Sequence, residues 1–326
     1  MKALTFDKNS DSFIYKDIPV PRPSDGEILI KVSACGLNPV DAKIRLWKSM
    51  IPASAEHWVP GLDIAGEIVE VGDAVNDFSV GDKVLCHGEM LKPHGGFTEY
   101  SVQSASTVIK HPDLEAIQAA AIPCAGWTAW RALVDKLDLT HQDSLFIAGG
   151  AGGVGSYAIQ IANHIGAKQI ITTASAPNHD YLYNLGATHV VDYKNSDVIE
   201  EVMQITHGLG VSKGLDAVGG DNDILVANLL KFEGEMVELV RTLRPEQYQD
   251  AFIKGLSFHQ LSLGSGHRNG EAAKQKMICA GLSFTELVAS GAITLPSIQK
   301  VEFDDVAAHL DQMLQQRTVG KLVMAF

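Results

Sequence analysis

The feature that most constrains the fold is residues 144–167, a stretch without Asp, Glu, Lys or Arg. A short apolar run opens it and a cluster of glycines follows. Apolar residues then recur at 4, 3, 1 and 3 spacing, which is one face of a helix. The stretch is long enough to span a bilayer, but six glycines and several polar residues argue against that. It is typical of a strand, a turn and a buried helix that ends near Gly166.

The turn reads Gly150-Ala151-Gly152-Gly153-Val154-Gly155, which fits the G-x-G-x-x-G pattern of dinucleotide-binding turns. Gly150 would allow a sharp turn, Gly152 would let the backbone approach a diphosphate, and Gly155 would let the helix pack closely on the strand. Free N–H groups at the helix N-terminus, from Gly153 and Val154 onward, suit a phosphate. The alternative is a tight structural turn that binds no ligand.

Strand and helix patterns continue to alternate after this turn, as far as residue 218. Such alternation predicts right-handed βαβ units and a doubly wound parallel sheet, the Rossmann fold. The first ~110 residues instead show short alternating strands separated by turn signals, which predicts an antiparallel or barrel-like region. The expected fold class is therefore α/β, with a β-barrel domain beside a Rossmann domain.

Composition narrows the class of function. A chain of 326 residues exceeds one ordinary domain. Acidic residues outnumber basic ones by 39 to 26, and a net charge of −13 disfavours nucleic-acid and membrane-surface partners. Four dispersed cysteines form no CxxC pair, so we expect reduced thiols in the cytoplasm rather than a disulfide framework or a four-cysteine zinc site.

The second strand of the alternating region distinguishes between NAD and NADP. In NAD-binding proteins this strand ends in an acid that holds the ribose 2′-hydroxyl. Residues 169–175 contain no acid, which favours NADP because a carboxylate would repel the 2′-phosphate. No Arg or Lys follows closely, but Ser175, Asn178 and His179 could donate hydrogen bonds to that phosphate. Their alternative is an ordinary loop, and NAD stays open.

Seven ordered motifs then resemble one family. They are residues 36–41, 60–66, 95–100, 120–129, 149–155, 215–220 and 320–323. The chain resembles the medium-chain dehydrogenases/reductases, in particular their zinc-free, quinone-oxidoreductase-like (zeta-crystallin-like) branch. The resemblance implies a GroES-like catalytic domain over 1–120, a Rossmann domain over 121–265, and a segment over 266–326 that returns to the catalytic domain. It also implies an active site between the domains and an oligomer, here expected to be a homodimer.

The same resemblance bears on zinc. The zinc-dependent alcohol dehydrogenases of this superfamily place Cys, His and Cys at positions that read Asn38, Leu62 and Cys124 here. Leucine cannot ligate a metal, an amide is a poor zinc ligand, and one thiolate cannot hold a catalytic zinc. We therefore expect no metal site.

The matched motifs also nominate site residues. The candidates near substrate are Asn38, Asp41, Lys43 and Thr128. Their alternatives are a local turn bond for Asn38, a loop-orienting or capping carboxylate for Asp41, a solvent-facing Lys43 and a helix cap for Thr128. The further candidates near the coenzyme are Tyr193, Val218, Gly219, Gly264 and Lys321.

The function that follows is hydride transfer from NADPH to a small molecule. Without a Lewis acid, an ordinary ketone lacks its carbonyl polariser. Quinones and α,β-unsaturated carbonyls accept hydride more readily, and a few oriented donors could stabilise the developing oxyanion. The alternatives are a zinc-type alcohol dehydrogenase with substituted ligands and a non-catalytic NADPH-binding protein.

Overall fold

The computed structural model describes residues 1–52, 56–315 and 318–326. The chain divides into two compact units. The first comprises Met1–Cys124, Gly264–Ala289 and Ser297–Phe326, and the second comprises Ala125–Leu263 and Ser290–Pro296. Most of the expected returning segment, 266–326, thus belongs to the first unit. Residues 290–296 group with the second unit because Thr294 hydrogen-bonds to the Gln160 side chain through its N–H, hydroxyl and carbonyl groups.

The strands are β1 (Lys2–Asp7), β2 (Ser12–Asp17), β3 (Glu27–Leu37), β4 (Asp63–Val71), β5 (Lys83–His87), β6 (Tyr100–Ser104), β7 (Val108–Lys110), β8 (Ser144–Ala148), β9 (Gln169–Ala174), β10 (His189–Asp192), β11 (Val211–Asp216), β12 (Leu230–Glu238), β13 (Ser257–Gln260), β14 (Ile298–Val301) and β15 (Lys321–Ala325).

The α-helices are α1 (Pro39–Ala42), α2 (Ile44–Trp47), α3 (Ala116–Ala119), α4 (Thr128–Trp130), α5 (Gly153–Ile165), α6 (His179–Asn184), α7 (Val198–Ile205), α8 (Asn222–Leu229), α9 (Ala251–Lys254), α10 (Glu271–Ala289) and α11 (Val306–Met313). No helix within the described ranges is both long enough and apolar enough to cross a bilayer.

The second unit contains one sheet with the strand order β10-β9-β8-β11-β12-β13. Every neighbouring pair in it is parallel. This order, with the chain leaving β8 in one direction and β11 in the other, is that of a doubly wound Rossmann sheet, so the predicted fold is confirmed. Its β8 is almost wholly buried, as expected for a strand with both faces covered.

Helix α5 forms where the sequence predicts it. Gly166 ends it in the left-handed region with φ 81°, and its N–H bonds to the carbonyl of Asn163. The residues from Gly155 to Ala162 are all buried, so most of the helix surface contacts protein. Burial on nearly every side explains why this segment lacks charged residues.

The sheet of the first unit is mainly antiparallel, with the order β14-β15-β3-β4-β5-β7 and with β6 also paired to β3. The long strand β3 pairs with β4 along one edge. On its other edge, β6 pairs with the first half of β3 and β15 with the second half. Two register shifts between β3 and β4 bend the pair, and such irregularities curl a sheet toward a barrel.

Each unit has its own apolar core. The core of the first unit is built from β3, β4, β5 and β15 together with α11, and Phe97 and Ile64 are fully buried in it. The core of the second unit lies between its sheet and helices α7 and α8, around Phe146 and Ile171. Each unit therefore positions its functional groups on a packed scaffold.

Candidate active site

The glycine-rich turn of the second unit connects β8 to α5. The sharp change of direction occurs at Gly149, which has φ 82°, and not at Gly150 as the motif suggests. Gly150 is required for a different reason, since a Cβ there would lie 2.2 Å from the Thr172 hydroxyl. A Cβ on Gly155 would lie 2.2 Å from the Gly149 carbonyl oxygen, so Gly155 permits the close approach of helix and strand that the motif predicts.

The same turn offers donors to an anion. Helix α5 begins at Gly153, and within the described ranges the backbone N–H groups of Gly153, Val154 and Gly155 donate to no backbone carbonyl. A Cβ on Gly152 would meet only one carbonyl oxygen, at 3.5 Å, so this face of the turn is open. Free N–H groups at the positive end of a helix form an anion site, and these residues fit a diphosphate.

Two threonines of β9 hold the turn in place, and the motif does not reveal them. The Thr173 hydroxyl accepts the N–H of Gly149 at 3.2 Å, and the Thr173 carbonyl accepts the N–H of Gly150 at 3.2 Å. The Thr172 hydroxyl donates to the Ile147 carbonyl at 2.8 Å. The sequence signal is a pair of hydroxyl residues that directly follows the apolar Ile170 and Ile171.

The residues predicted for the 2′-phosphate lie together at the carboxyl end of β9. The Asn178 side chain is 3.4 Å from the Ser175 hydroxyl, and His179 Nε2 is 3.2 Å from the Ala174 carbonyl. Tyr193 directly follows β10, and its side chain is exposed. Since β9 and β10 are paired in register at their ends, these four residues share one end of the sheet.

Val218 and Gly219 lie at the end of the next strand in the other direction. The Asp216 carboxylate at the end of β11 accepts both of their N–H groups, each at 2.9 Å. The Val218 side chain packs against Gly149, since a Cβ on Gly149 would lie 2.5 Å from a Val218 methyl group. The structure thus brings these two residues to the glycine-rich turn.

A buried polar cluster occupies the first unit. Lys321 Nζ donates to Asp63 at 2.9 Å, to the Asn38 side-chain oxygen at 2.7 Å and to the Leu37 carbonyl at 3.5 Å. The Asn38 side-chain amide donates to Asp63 at 2.9 Å. The predicted coenzyme contact of Lys321 stays a prediction, because all three protons of its ammonium have acceptors inside the unit.

Burial and charge set the protonation of this cluster. Burial alone would lower the pKa of Lys321, but the charge and hydrogen bond of Asp63, together with the nearby Cys124 and Asp41, outweigh burial and the pKa is raised. Burial, together with the charge of Asp63, raises the pKa of Asp41 to about 7. The Asp41 carboxylate accepts the N–H groups of Asn38 at 3.0 Å and Gly61 at 3.2 Å, so it orients the Asn38 loop as one interpretation predicted.

The three positions equivalent to zinc ligands carry other chemistry. The Asn38 amide is bonded within the cluster, and Leu62 is a buried apolar residue. The Cys124 N–H donates to Asp63 at 2.7 Å, and burial raises the pKa of the Cys124 thiol far above its usual range. Across the described ranges, no three His, Cys, Asp or Glu side chains are grouped so that they could hold a metal ion.

Asp63 is the central residue that sequence reasoning missed. It is fully buried and accepts bonds from Asn38, Cys124 and Lys321. The available signal was an acidic residue directly before the short uncharged run 64–66 of β4, since a buried carboxylate needs a charged or polar partner. The matching signal was Lys321 at the start of β15, whose other residues are apolar.

The remaining predicted residues lie outside this cluster. Lys43 ends α1 and is half-buried. Thr128 is buried and follows a π-helical turn at Pro123–Trp127, so it lies within a continuous helical segment and does not cap a helix. Gly264 lies in the 3₁₀ turn Leu263–His267, where a Cβ would be 3.6 Å from the His87 ring.

That 3₁₀ turn is attached to the first unit by two buried histidines. The rings of His87 and His267 are stacked with centroids 5.9 Å apart, and His267 Nε2 is 2.9 Å from the His87 carbonyl oxygen. Burial lowers the pKa of His87 to about 3 and that of His267 to about 4. Both imidazoles are therefore neutral near pH 7.

Comparison with known proteins identifies similar domains in both parts of the chain. Residues 24–113 match the family described as alcohol dehydrogenase GroES-like domain, and residues 153–277 match the family described as zinc-binding dehydrogenase. The chain is 30% identical over 259 residues to a quinone oxidoreductase from Sus scrofa, a match that covers 77% of this chain and 76% of that protein.

Two further relatives extend this likeness. The chain is 38% identical to a chloroplastic NADPH-dependent alkenal/one oxidoreductase from Arabidopsis thaliana, over 56% of this chain and 49% of that protein. Matches to other chloroplast relatives span 56–62% of their lengths. The solved structure of a quinone oxidoreductase from Coxiella burnetii superposes with a TM-score of 0.84 and 28% identity, and covers 100% of this chain and 99% of that one.

Proposed function

Because the chain belongs to the quinone oxidoreductases of the medium-chain dehydrogenase/reductase superfamily, we propose that it reduces quinones or conjugated enones and enals with NADPH and without a metal ion. The observation that carries this proposal is the open glycine-rich turn between β8 and α5. Within the described part of the chain its N–H groups donate to no backbone carbonyl, and its open face at Gly152 suits a dinucleotide diphosphate.

The end of β9 supports NADPH over NADH. No acid stands among the last residues of β9, and Ser175, Asn178 and His179 present groups that can donate to a phosphate. The nearest strand-end acid is Asp192 on β10, and its carboxylate is engaged by the Lys194 N–H at 3.0 Å and the Asn195 amide at 2.7 Å. A relative whose name specifies NADPH dependence adds to this support.

The donor set supports a reaction without zinc. Asn38, Leu62 and Cys124 offer an amide already bonded to Asp63 and Lys321, an apolar side chain and a protonated thiol. None of these groups is a good zinc ligand in its present state. The relatives named for quinones and for alkenals and alkenones also indicate acceptors that need no metal to accept hydride.

In this proposal the bound coenzyme supplies the hydride, and the chain's own residues bind and orient it. The N–H groups of Gly153, Val154 and Gly155 hold the diphosphate. Val218 and Gly219 limit its position from the neighbouring strand end, and Ser175, Asn178 and His179 hold the 2′-phosphate.

The test is a titration of the purified protein with NADPH and with NADH, followed by turnover with benzoquinones, 2-alkenals and simple ketones. We expect tighter binding of NADPH and turnover with the first two classes after extensive treatment with chelator. Efficient ketone reduction with NADH would contradict both the coenzyme and the substrate assignments.

Two alternatives are separated by the same experiment. A zinc-type alcohol dehydrogenase with substituted ligands would contain about one zinc per chain and lose its activity on chelation. A non-catalytic NADPH-binding protein would bind the coenzyme tightly and turn over no quinone, enal or ketone. The matched motifs contain no strong acid–base pair, which is why a non-catalytic protein is included as an alternative.

We also propose a homodimer in a reducing compartment such as the cytoplasm. The edge strand β13 lies beside β12, and β12 contacts α9. Strand β12 and helix α9 expose Phe232, Phe252 and Ile253, and exposed apolar groups of this kind favour association. All four cysteines are free thiols. Light scattering that gives twice the chain mass would support the dimer, and a monomer at micromolar concentration would contradict it.

A further inference from the structure

The turn formed by Val218, Gly219 and Gly220, here the 218–220 turn, is fixed by hydrogen bonds with two side chains although it contains two flexible glycines. Gly219 and Gly220 are consecutive left-handed residues, with φ 83° and 65°. On the side of β11, the buried Asp216 carboxylate accepts the N–H groups of Val218 and Gly219. Two glycines in succession would otherwise give the chain large conformational freedom at this point.

Arg244 holds the same turn from the side. Its Nη2 donates to the Gly220 carbonyl at 2.7 Å and also to Asp223, while Nε bonds to Asp223 at 3.2 Å. Its Nη1 is 3.0 Å from Asp221. One guanidinium therefore bridges three acceptor residues within four consecutive positions, each through a different edge of its planar group of donors.

The carboxylate that receives Arg244 is itself buried and fixed. The Asp223 side chain is fully buried, and it also accepts the Tyr248 hydroxyl at 2.8 Å. Burial alone would raise the pKa of Asp223, but the bonds from Arg244 and Tyr248 outweigh burial and lower it. Arg244 is thus anchored on α8 and reaches out to the turn, with its own side chain 30% exposed.

The turn that Arg244 holds contacts the proposed diphosphate site. Val218 packs against Gly149, and strands β8 and β11 are paired in register, Ala148 with Asp216. A displacement of the 218–220 turn would therefore move the side chain that packs against the start of the glycine-rich turn.

We propose that Arg244 is a positioning residue for the coenzyme: by bridging Gly220, Asp221 and Asp223 it keeps the 218–220 turn in the conformation that the coenzyme meets. The inference rests on the proposed function. Without this bridge, part of the binding free energy would go into ordering the turn, so affinity would fall while the reacting groups stay unchanged.

The test compares Arg244→Lys with the matched control Arg131→Lys. Lysine keeps a positive charge beside Asp223 but lacks the planar fork of three nitrogens by which Arg244 contacts Gly220, Asp221 and Asp223 together. Arg131 also pairs with a carboxylate, that of Asp135 at 3.0 Å on one helix of the same unit, and does not touch the turn. We expect R244K to raise the Kd and KM for NADPH about tenfold, to change kcat less than about threefold, and to unfold at the wild-type temperature. R131K should change none of these quantities.

Hydrogen exchange provides a readout that needs no coenzyme. The amides of Val218, Gly219 and Gly220 should exchange faster in R244K than in the wild type, and those of β8 should not. The double variant R244Q/D223N covers the case in which R244K perturbs folding, because it removes both charges and leaves no unpaired buried charge. It should show the same faster exchange and the same rise in the Kd for NADPH that we expect for R244K.

Three outcomes would overturn the inference. If R244K and the double variant bind NADPH as the wild type does, Arg244 does not position the turn. If Kd and unfolding temperature change in proportion in both variants, the residue is structural only. If the wild-type protein binds no nicotinamide coenzyme at all, the proposed function fails as well, and the binding titration of the wild type distinguishes this case from the first.

Discussion

The two units use their polar groups in opposite ways. In the first unit, Asn38, Asp41, Asp63 and Lys321 are brought together from three separate motifs, and they bond to one another and to buried backbone. In the second unit, the N–H groups at the start of α5 have no backbone partner among the residues that the structure describes, and the turn is open at Gly152. A closed cluster holds its own unit together, whereas an open set of donors is suited to a ligand.

The largest expected effect breaks the closed cluster. Lys321→Met leaves Asp63 as a buried charge without its cation, and we expect a loss of about 3–5 kcal/mol in the free energy of unfolding. Chemical denaturation measures it. The control is Lys300→Met, because Lys300 pairs with Glu302 at 3.2 Å on the surface, where removal should cost less than about 0.5 kcal/mol. Equal effects would show that the cluster is not the stabilising element of its unit.

The second prediction concerns another closed set in the first unit, the pair His87 and His267. Both have a pKa below the ordinary value of 6.5 in the folded chain, at about 3 and about 4. The unfolded chain therefore takes up protons first, so stability is complete above pH 6.5 and falls as the pH decreases toward 4. Each histidine should lower the free energy of unfolding by about 1.4 kcal/mol for each pH unit of acidification in this window.

Denaturation at pH 7 and pH 5 tests this. From pH 7 to pH 5, the free energy of unfolding of His87→Phe should fall by about 2 kcal/mol less than that of the wild type. Asp41, whose pKa is raised to about 7, acts in the opposite direction, since its protonated form is the one favoured in the fold. That contribution is common to both proteins and cancels in the difference. The exposed His141→Phe is the control, and an equal pH response in all three proteins would refute the prediction.

The third prediction tests the open set of donors. In Gly152→Ala the new methyl group meets nothing closer than 3.5 Å, so we expect an unchanged unfolding temperature. The methyl group would lie on the face assigned to the diphosphate. It should weaken NADPH binding at least about tenfold, which corresponds to about 1.4 kcal/mol of binding free energy. Titration followed by fluorescence measures it. Gly155→Ala is the contrast, because its Cβ would clash with the Gly149 carbonyl and should reduce stability as well. Unchanged coenzyme affinity in Gly152→Ala would mean that the open face is not the binding face.

The smallest expected effect concerns Thr173, whose hydroxyl supports the open set of donors without belonging to it. Thr173→Val keeps the shape of the side chain but removes the hydroxyl that accepts the Gly149 N–H. We expect a loss of about 1 kcal/mol in stability and a few-fold weaker binding of NADPH. If binding weakens without any loss of stability, Thr173 acts on the ligand and not on the turn.

How far the sequence predicts this molecule can be judged from particular residues. The run 144–148, the glycines and the spacing of apolar residues in α5 predict a strand, a turn and a helix correctly, because these elements depend on nearest neighbours along the chain. The roles within the turn were less predictable. The left-handed residue is Gly149, and Gly150 is needed because Thr172, on the next strand, lies against it.

The candidate site divides in the same way. Ser175, Asn178, His179, Tyr193, Val218 and Gly219 follow strand ends, and a parallel sheet collects its strand ends at one edge, so their common location was predictable from strand order. Asp63 and Lys321 were not recognised as partners, because they are more than 250 residues apart and meet only through the pairing of β3 with β4 and β15.

By itself, the sequence of this protein determined its two kinds of sheet, its glycine-rich turn and the acid-free end of β9, since all of these follow from local periodicity, glycine positions and charge. Only the tertiary structure decided that Lys321 and Asn38 bond to Asp63 and that Arg244 bridges the 218–220 turn. Those contacts depend on which strands lie side by side, and burial then gives each carboxylate the strong preference for a cation or an N–H group that local sequence cannot express.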